Sequence, residues 1–298
     1  MALKVGELFA SFDLDASGMN GTIRSIESSL EGIGASMVQV GSTLSSALTQ
    51  PLVSFGKNAL DAGMSFTAQM STVEAISGAT ADEMEKLNAK ALEMGSTTQF
   101  TATEAGEALE YMAMAGWKTD DMLEGLAPIM NLAAASGENL GTTSDIVTDA
   151  LTAFGLKAED AGHFSDILAV ASSNANTNVS MMGETFKYVA PVAGALGYKA
   201  EDVAMAIGLM ANSGIKAGQA GTALRAALSS MANPSDKAAN YMDQVGISLT
   251  TASGEMKPFN ELIGDMRKGF SKLSDAEQVQ AAAAIFGQEA MSGMLAII

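Results

Sequence analysis

Three short stretches of this sequence carry adjacent acids behind a lysine: GWKTDD from Gly116, GLKAED from Gly155 and GYKAED from Gly197. Paired carboxylates could hold a metal ion or share a proton, which makes them the first candidates for chemistry. Helical geometry argues against that use. Neighbouring residues on a helix point about 100° apart, so an Asp-Asp or Glu-Asp step does not aim two carboxylates at one ion. An acid in the first turn instead meets the positive end of the helix dipole, worth about 0.3–1 kcal/mol. The three acidic pairs are therefore expected to start helices.

Other chemical candidates fall on similar grounds. His163 is the only histidine, and Ser165 and Asp166 follow it, but such spacing on one helix does not assemble a triad. DLDASGMNG suggests a calcium loop through Asp13, Asp15, Ser17 and Gly18, yet Arg24 stands where the bidentate Glu belongs. GIKAGQAG from Gly214 lacks the Lys-Ser/Thr pair of a phosphate cradle. Cysteine is absent, which removes disulfides and thiolate sites. No catalytic, cofactor-binding or metal-binding residue is assigned, and no cofactor is expected.

The formal net charge is −18, and most of it lies between residues 74 and 202. That balance opposes binding to phosphate backbones, so no direct nucleic-acid site is expected. With 21 Met, 30 Gly and few aromatics, the composition favours helix over sheet. Met112, Met122 and Met210 fall on apolar helical faces; core filling and an adaptable partner surface are the two uses open to them. MALKVGELFASF lacks a signal-peptide pattern, and no stretch reaches the roughly 18 apolar residues of a membrane span.

The elements that must carry these residues read as mostly α. Residues 1–22 form a strand and turn, from the alternation of Leu8, Ala10, Phe12 and Leu14. Residues 23–76 form long amphipathic or coiled-coil helices. Within them Ile23, Ile26, Leu30, Ile33, Met37, Val40 and Leu44 make a heptad seam. Its Leu/Met and Ile/Val placement leans toward more than two strands; docking on the chain's own core is the alternative. Pro51 should break or kink the helix, and Leu52, Phe55, Leu60 and Met64 should line the apolar face of the next one.

GATADE from Gly78 is a fourth, weaker copy of the acidic motif. Glycines 78, 116, 155 and 197 thus recur with a period of about 40 residues, the mark of helix-hairpin repeats, over 77–233. In each unit the glycine ends one helix and the acids open the next. Trp117, Leu156 and Tyr198 should occupy equivalent, largely buried positions. Capping boxes are expected at Thr80/Glu83, Thr101/Glu104, Thr142/Asp145 and Ser274/Glu277. Residues 234–298 read as a helix, a small β-hairpin near 246–259 and C-terminal helices. The closing run MSGMLAII is expected to be a cut inside a longer protein.

Several long blocks carry a resemblance: AQMSTVEAISGATADEMEKL, EALEYMAMAGW, LAAASGENLGTTSDIVTDALTAFGLKAEDAGHFSDILA, SSNANTNVSMM, LMANSGIKAGQAGTALRAAL and IFGQEAMSGMLA. Together with ALTQPLVSFGKNAL they closely resemble the core region of phage tail tape-measure proteins, over roughly 50–298. The resemblance implies a structural virion protein, found in the tail lumen and assembled in the host bacterial cytoplasm. It implies a role in tail assembly, tail-length determination and DNA ejection. Implied partners are further copies of itself, tail-tube and tail-tip proteins, assembly chaperones and, after ejection, the host inner membrane. A fragment of a tail-associated cell-wall hydrolase, or a membrane-perturbing ejection protein, is the alternative.

The seam generates a direct expectation. Ile26→Asp combined with Ile33→Asp places two charges in it, and sedimentation should then show a smaller assembly than the parent chain forms.

Overall fold

The computed structural model describes the backbone of residues 50–298 and the side chains from 57 onward. The expected N-terminal strand and the seam from Ile23 to Leu44 lie outside the described residues. Thirteen α-helices dominate the described part. They are α1 (Gln50–Ser77), α2 (Ala81–Thr97), α3 (Ala102–Met114), α4 (Thr119–Ser136), α5 (Leu140–Phe154), α6 (Ala161–Asn174) and α7 (Val179–Ala195). Next come α8 (Ala200–Asn212), α9 (Ala217–Ala232), α10 (Asp236–Val245), α11 (Phe259–Phe270), α12 (Asp275–Phe286) and α13 (Gln288–Leu295). A short 3-10 turn, Ala158–Asp160, precedes α6.

These helices stack in two layers. The first layer runs α1, α3, α5, α7, α9, α13, each packed on the one before it. The second runs α2, α4, α6, α8, with α11 against α8. Short turns join the layers, so each unit is a helical hairpin that buries its apolar faces against the neighbouring units. Helix α2 buries Met84, Leu87, Ala91 and Met94, and α7 buries Met182, Phe186, Val189 and Ala193. Each such large side chain contributes about 1.5–3 kcal/mol by leaving water. Phe186 sits at a junction, edge-on to Phe154 at 5.8 Å and to Phe164 at 5.5 Å.

One register runs through the first layer. The N-caps of α3, α5, α7 and α9 are Thr101, Asn139, Asn178 and Lys216. The fifth residue after each is small: Gly106, Ser144, Gly183 and Gly221. It faces the preceding helix of the layer, from α5 onward at the seventh position after that helix's own cap. Ser144 Oγ donates to the Ala108 carbonyl at 2.9 Å. A Cβ on Gly183 would lie 2.5 Å from Ile146 Cγ1, and one on Gly221 would lie 2.7 Å from the Thr185 carbonyl oxygen. On α13, a Cβ on Gly293 would meet the Ala223 Cβ at 2.9 Å, so α13 takes the place of a further repeat. Parallel neighbours can approach this closely only because side chains are missing or minimal at these points.

Two sequence expectations need correction. Residues 246–259 form no named strand; a single antiparallel bridge pairs Thr250 with Met256. The Thr251 and Lys257 N–H groups donate to the Glu255 and Leu249 carbonyls, both at 2.8 Å. Pro258 then offers no donor and α11 begins at Phe259, so the ladder ends after one rung. Leu60 and Met64 were placed on the apolar face of the helix after Pro51, yet they are 64% and 56% exposed. Their helix packs on the stack through its later turns, where Met70 and Val73 are buried and Gln69 and Met70 face Gly106, and its earlier turns are largely exposed.

The close approach predicts a contrast. Gly221→Ala forces a Cβ against backbone and should cost about 1–3 kcal/mol in urea unfolding. Gly63→Ala, with nothing within 4 Å of its Cβ, should instead stabilise by roughly 0.5–1 kcal/mol through helix propensity.

Candidate functional site

The structure turns the three acidic motifs into helix punctuation. Gly116, Gly155 and Gly197 sit at φ 83°, 68° and 80°, the left-handed region that glycine enters without a Cβ penalty. The next residue closes the helix: Trp117, Leu156 and Tyr198 N–H groups donate to the carbonyls of Met112, Leu151 and Ala193 at 3.0, 2.8 and 2.9 Å. This is the Schellman closure, in which a glycine and its apolar successor satisfy orphan carbonyls. Gly78, at φ 63°, makes the simpler bond, its N–H donating to the Glu74 carbonyl at 3.0 Å. Gly214-Ile215 lies outside the four-copy glycine period expected from the sequence. It is another Schellman pair, with the Ile215 N–H on the Met210 carbonyl at 3.0 Å. The Gly-apolar-Lys spelling of GIKAGQ was the signal that could have found it.

The acids do cap helices, but not uniformly. Asp121 accepts the Lys118 N–H at 3.1 Å and Asp160 accepts the Lys157 N–H at 2.9 Å. Glu83 takes both the N–H and the hydroxyl of Thr80 at 2.7 Å, and the boxes at Thr101/Glu104 and Ser274/Glu277 form in the same way. The backbone and hydroxyl bonds from Thr80 hold the Glu83 carboxyl below its usual range, and those from Ser274 do the same for Glu277. Their stabilisation is present above the usual Glu range and is lost as pH falls through the lowered value. The box expected at Thr142/Asp145 is absent. Asn139 caps α5 instead, its Oδ1 accepting the Thr142 N–H at 3.0 Å, because asparagine serves as an N-cap as well as threonine does.

In the third copy Asp202 stands where Asp121 and Asp160 cap but makes no bond to the Lys199 N–H, and its neighbour Glu201 meets His163 Nε2 of α6 at 2.7 Å, tying one unit to the next across an exposed surface. Burial raises the Glu201 carboxyl, but the bond and charge of His163 outweigh it and the net shift is downward. Ser165 lies buried without a hydrogen-bond partner and Asp166 joins no cluster with them, so no triad assembles. No group of three or more His, Asp or Glu side chains gathers as a metal site among the described residues. No described helix is long and apolar enough to cross a membrane.

The apolar members of the motif are not equivalent. Trp117 is 9% exposed and lies over Gly125, where a Cβ would overlap its ring. Tyr198 is 5% exposed and meets the Phe259 ring edge-on at 5.4 Å. Leu156, expected to be buried, is 38% exposed. After Gly155 the chain makes its 3-10 turn before α6, and Ala158 and Ala161 take the interior positions there.

Polar side chains staple adjacent units. Gln69 Nε2 donates to Glu110 at 2.6 Å, and Ser180 Oγ to Glu138 at 2.7 Å. Lys187 reaches Asp145 at 3.2 Å and Asp149 at 3.6 Å. Burial lowers Lys187, but the two aspartates outweigh it and leave it raised. Such partly exposed pairs contribute about 0–1 kcal/mol each, so they select register more than they hold the stack together.

A stack of helical hairpins of this kind defines the class of helical repeat proteins. The profile of the phage-related minor tail protein family matches residues 88–287, and the chain belongs to that family. It is 38% identical over 266 residues to the tape measure protein of Pneumococcus phage Dp-1, covering 89% of this chain and 23% of the relative. It is 27% identical over 241 residues to the probable tape measure protein of Escherichia phage P2, covering 80% of this chain and 30% of that protein. The chain thus spans less than a third of either curated relative. No solved structure matches it.

Tyr198 generates the prediction of this site. Its hydroxyl is buried with no partner, and burial, helped by the charge of Asp202, pushes its pKa up to about 12. The neutral phenol is therefore favoured by folding below the usual tyrosine range, an advantage lost as pH rises toward that value. Tyr198→Phe should leave stability at neutral pH within about 1 kcal/mol or raise it, since no hydrogen bond is lost. It should also remove a tyrosine transition near pH 12 from an ultraviolet pH titration.

Proposed function

We propose that this chain is a folded module of a phage tail tape-measure protein, acting in tail assembly, tail-length determination and DNA delivery at infection. The observation that carries it is the 38% identity to a tape measure protein over 89% of the chain. The repeat architecture supports a docking or initiating role rather than a measuring one. A continuous helix of 40 residues spans about 60 Å, whereas a packed hairpin of that length advances a stack by about 10 Å. The described residues therefore use sequence to build surface, not length. In this reading copies associate through the seam from Ile23 to Leu44, and the stack meets tail-tube, tail-tip and chaperone proteins. The protein is made in the host cytoplasm, resides in the virion tail lumen, and reaches the host inner membrane after ejection.

The test uses the whole protein in its phage. Deleting one period, residues 118–156, should leave the tails that form at parental length by electron microscopy. Tails shorter by about 60 Å would show instead that this stretch is measured as continuous helix. Normal tails from a phage whose protein lacks residues 50–298 would remove the assembly role altogether.

A further inference from the structure

The stack ends beside an open cleft of about 380 Å³, within the range of small-ligand sites. Met231, Met242, Leu249 and Met256 form its apolar body, and Asp243 stands on its rim. Methionine walls adapt to the shape of an incoming chain.

Its polar character comes from an unusual helix end. Helices α3, α5, α7, α8 and α10 each close with a glycine and an apolar successor. Helix α9 ends at Asn233-Pro234. The Asn233 N–H donates to the Ser229 carbonyl at 3.2 Å, and Pro234 has no N–H with which to continue the closure. The carbonyls of Ser230, Met231 and Ala232 are left without a donor among the described residues. Met231 and Ala232 line the cleft, so the negative end of the helix dipole lies beside it. The Asp243 carboxylate adds a full negative charge and takes part in none of the ion pairs among the described residues. Ser248 and Thr250 complete the polar side of the lining.

An apolar wall leading to open carbonyls and a carboxylate, with no cationic side chain in its lining, complements one kind of side chain: a hydrocarbon stem that ends in a cation. We propose that this cleft docks a lysine or arginine, flanked by apolar residues, from a basic peptide segment of a partner protein. The stem lies along the methionines and the cationic head reaches Asp243 and the open carbonyls of α9.

The probe is the peptide acetyl-Gly-Leu-Lys-Leu-Gly-amide, titrated into the full chain carrying methyl-labelled methionine. Saturable NMR shifts are expected at Met231, Met242 and Met256. A peptide with norleucine in place of lysine should bind at least tenfold more weakly. Asp243→Asn, an exposed substitution, should weaken the lysine peptide several-fold and leave the norleucine peptide unchanged. Equal affinity for the two peptides would make the cleft a plain apolar slot and overturn the proposal. Binding of cadaverine as tight as that of the peptide would assign it to a free amine, and absence of saturable shifts would remove it. Loss of self-association on Asp243→Asn without any peptide shift would make a second copy the occupant.

Discussion

Everything in this fold depends on how closely the helices of the first layer approach one another. At Gly106, Ser144, Gly183, Gly221 and Gly293 the chain places the smallest residues it can against the preceding helix. A larger residue would press on the Ile146 side chain at Gly183 or on the Thr185 backbone at Gly221 and push the two units apart. Once that distance is set, the second layer follows, because short turns leave α2, α4, α6 and α8 little freedom over where they land. Buried apolar area supplies most of the stabilisation. The small residues decide which of many apolar packings is adopted.

A second constraint is the satisfaction of helix ends. A stack of hairpins multiplies helix termini, and each terminus exposes orphan donors or acceptors. Threonine-glutamate and serine-glutamate boxes, asparagine caps and glycine-apolar closures deal with most of them. The same composition that made the motifs resemble acidic sites is therefore the composition a hairpin repeat requires. Glu201 shows how an acid of the same first turn serves elsewhere, in a tie to His163 of the neighbouring unit.

Much of this was legible in the sequence because the governing interactions are local. Helix ends, caps and the glycine period depend on residues within about six positions of one another, and Thr80, Thr101 and Ser274 take the roles their spacing implies. What escaped depends on residues a full repeat away. Gly183 looks like a weak point in a helix until Ile146 is known to lie across from it. Leu156 shares its motif with Trp117 and Tyr198, yet its burial is decided by the 3-10 turn that follows. Leu60 and Met64 have helical spacing, but only tertiary structure could show that α1 runs beyond its neighbour. Residues 246–259 alternate like strands, and the early start of α11 halts them after one bridge.

Among the described residues the hairpins pack mainly on adjacent units and close turns within themselves, and the helices Gln50–Ser77 and Gln288–Leu295 at the two ends do not pack on each other. Mechanically, such an object behaves less like a knot than like a zip. Tension applied at one terminus is borne by a single interface at a time, and the units behind it remain folded until their turn. The peak force needed to draw the described stack out straight is then that of one hairpin, however many hairpins it contains.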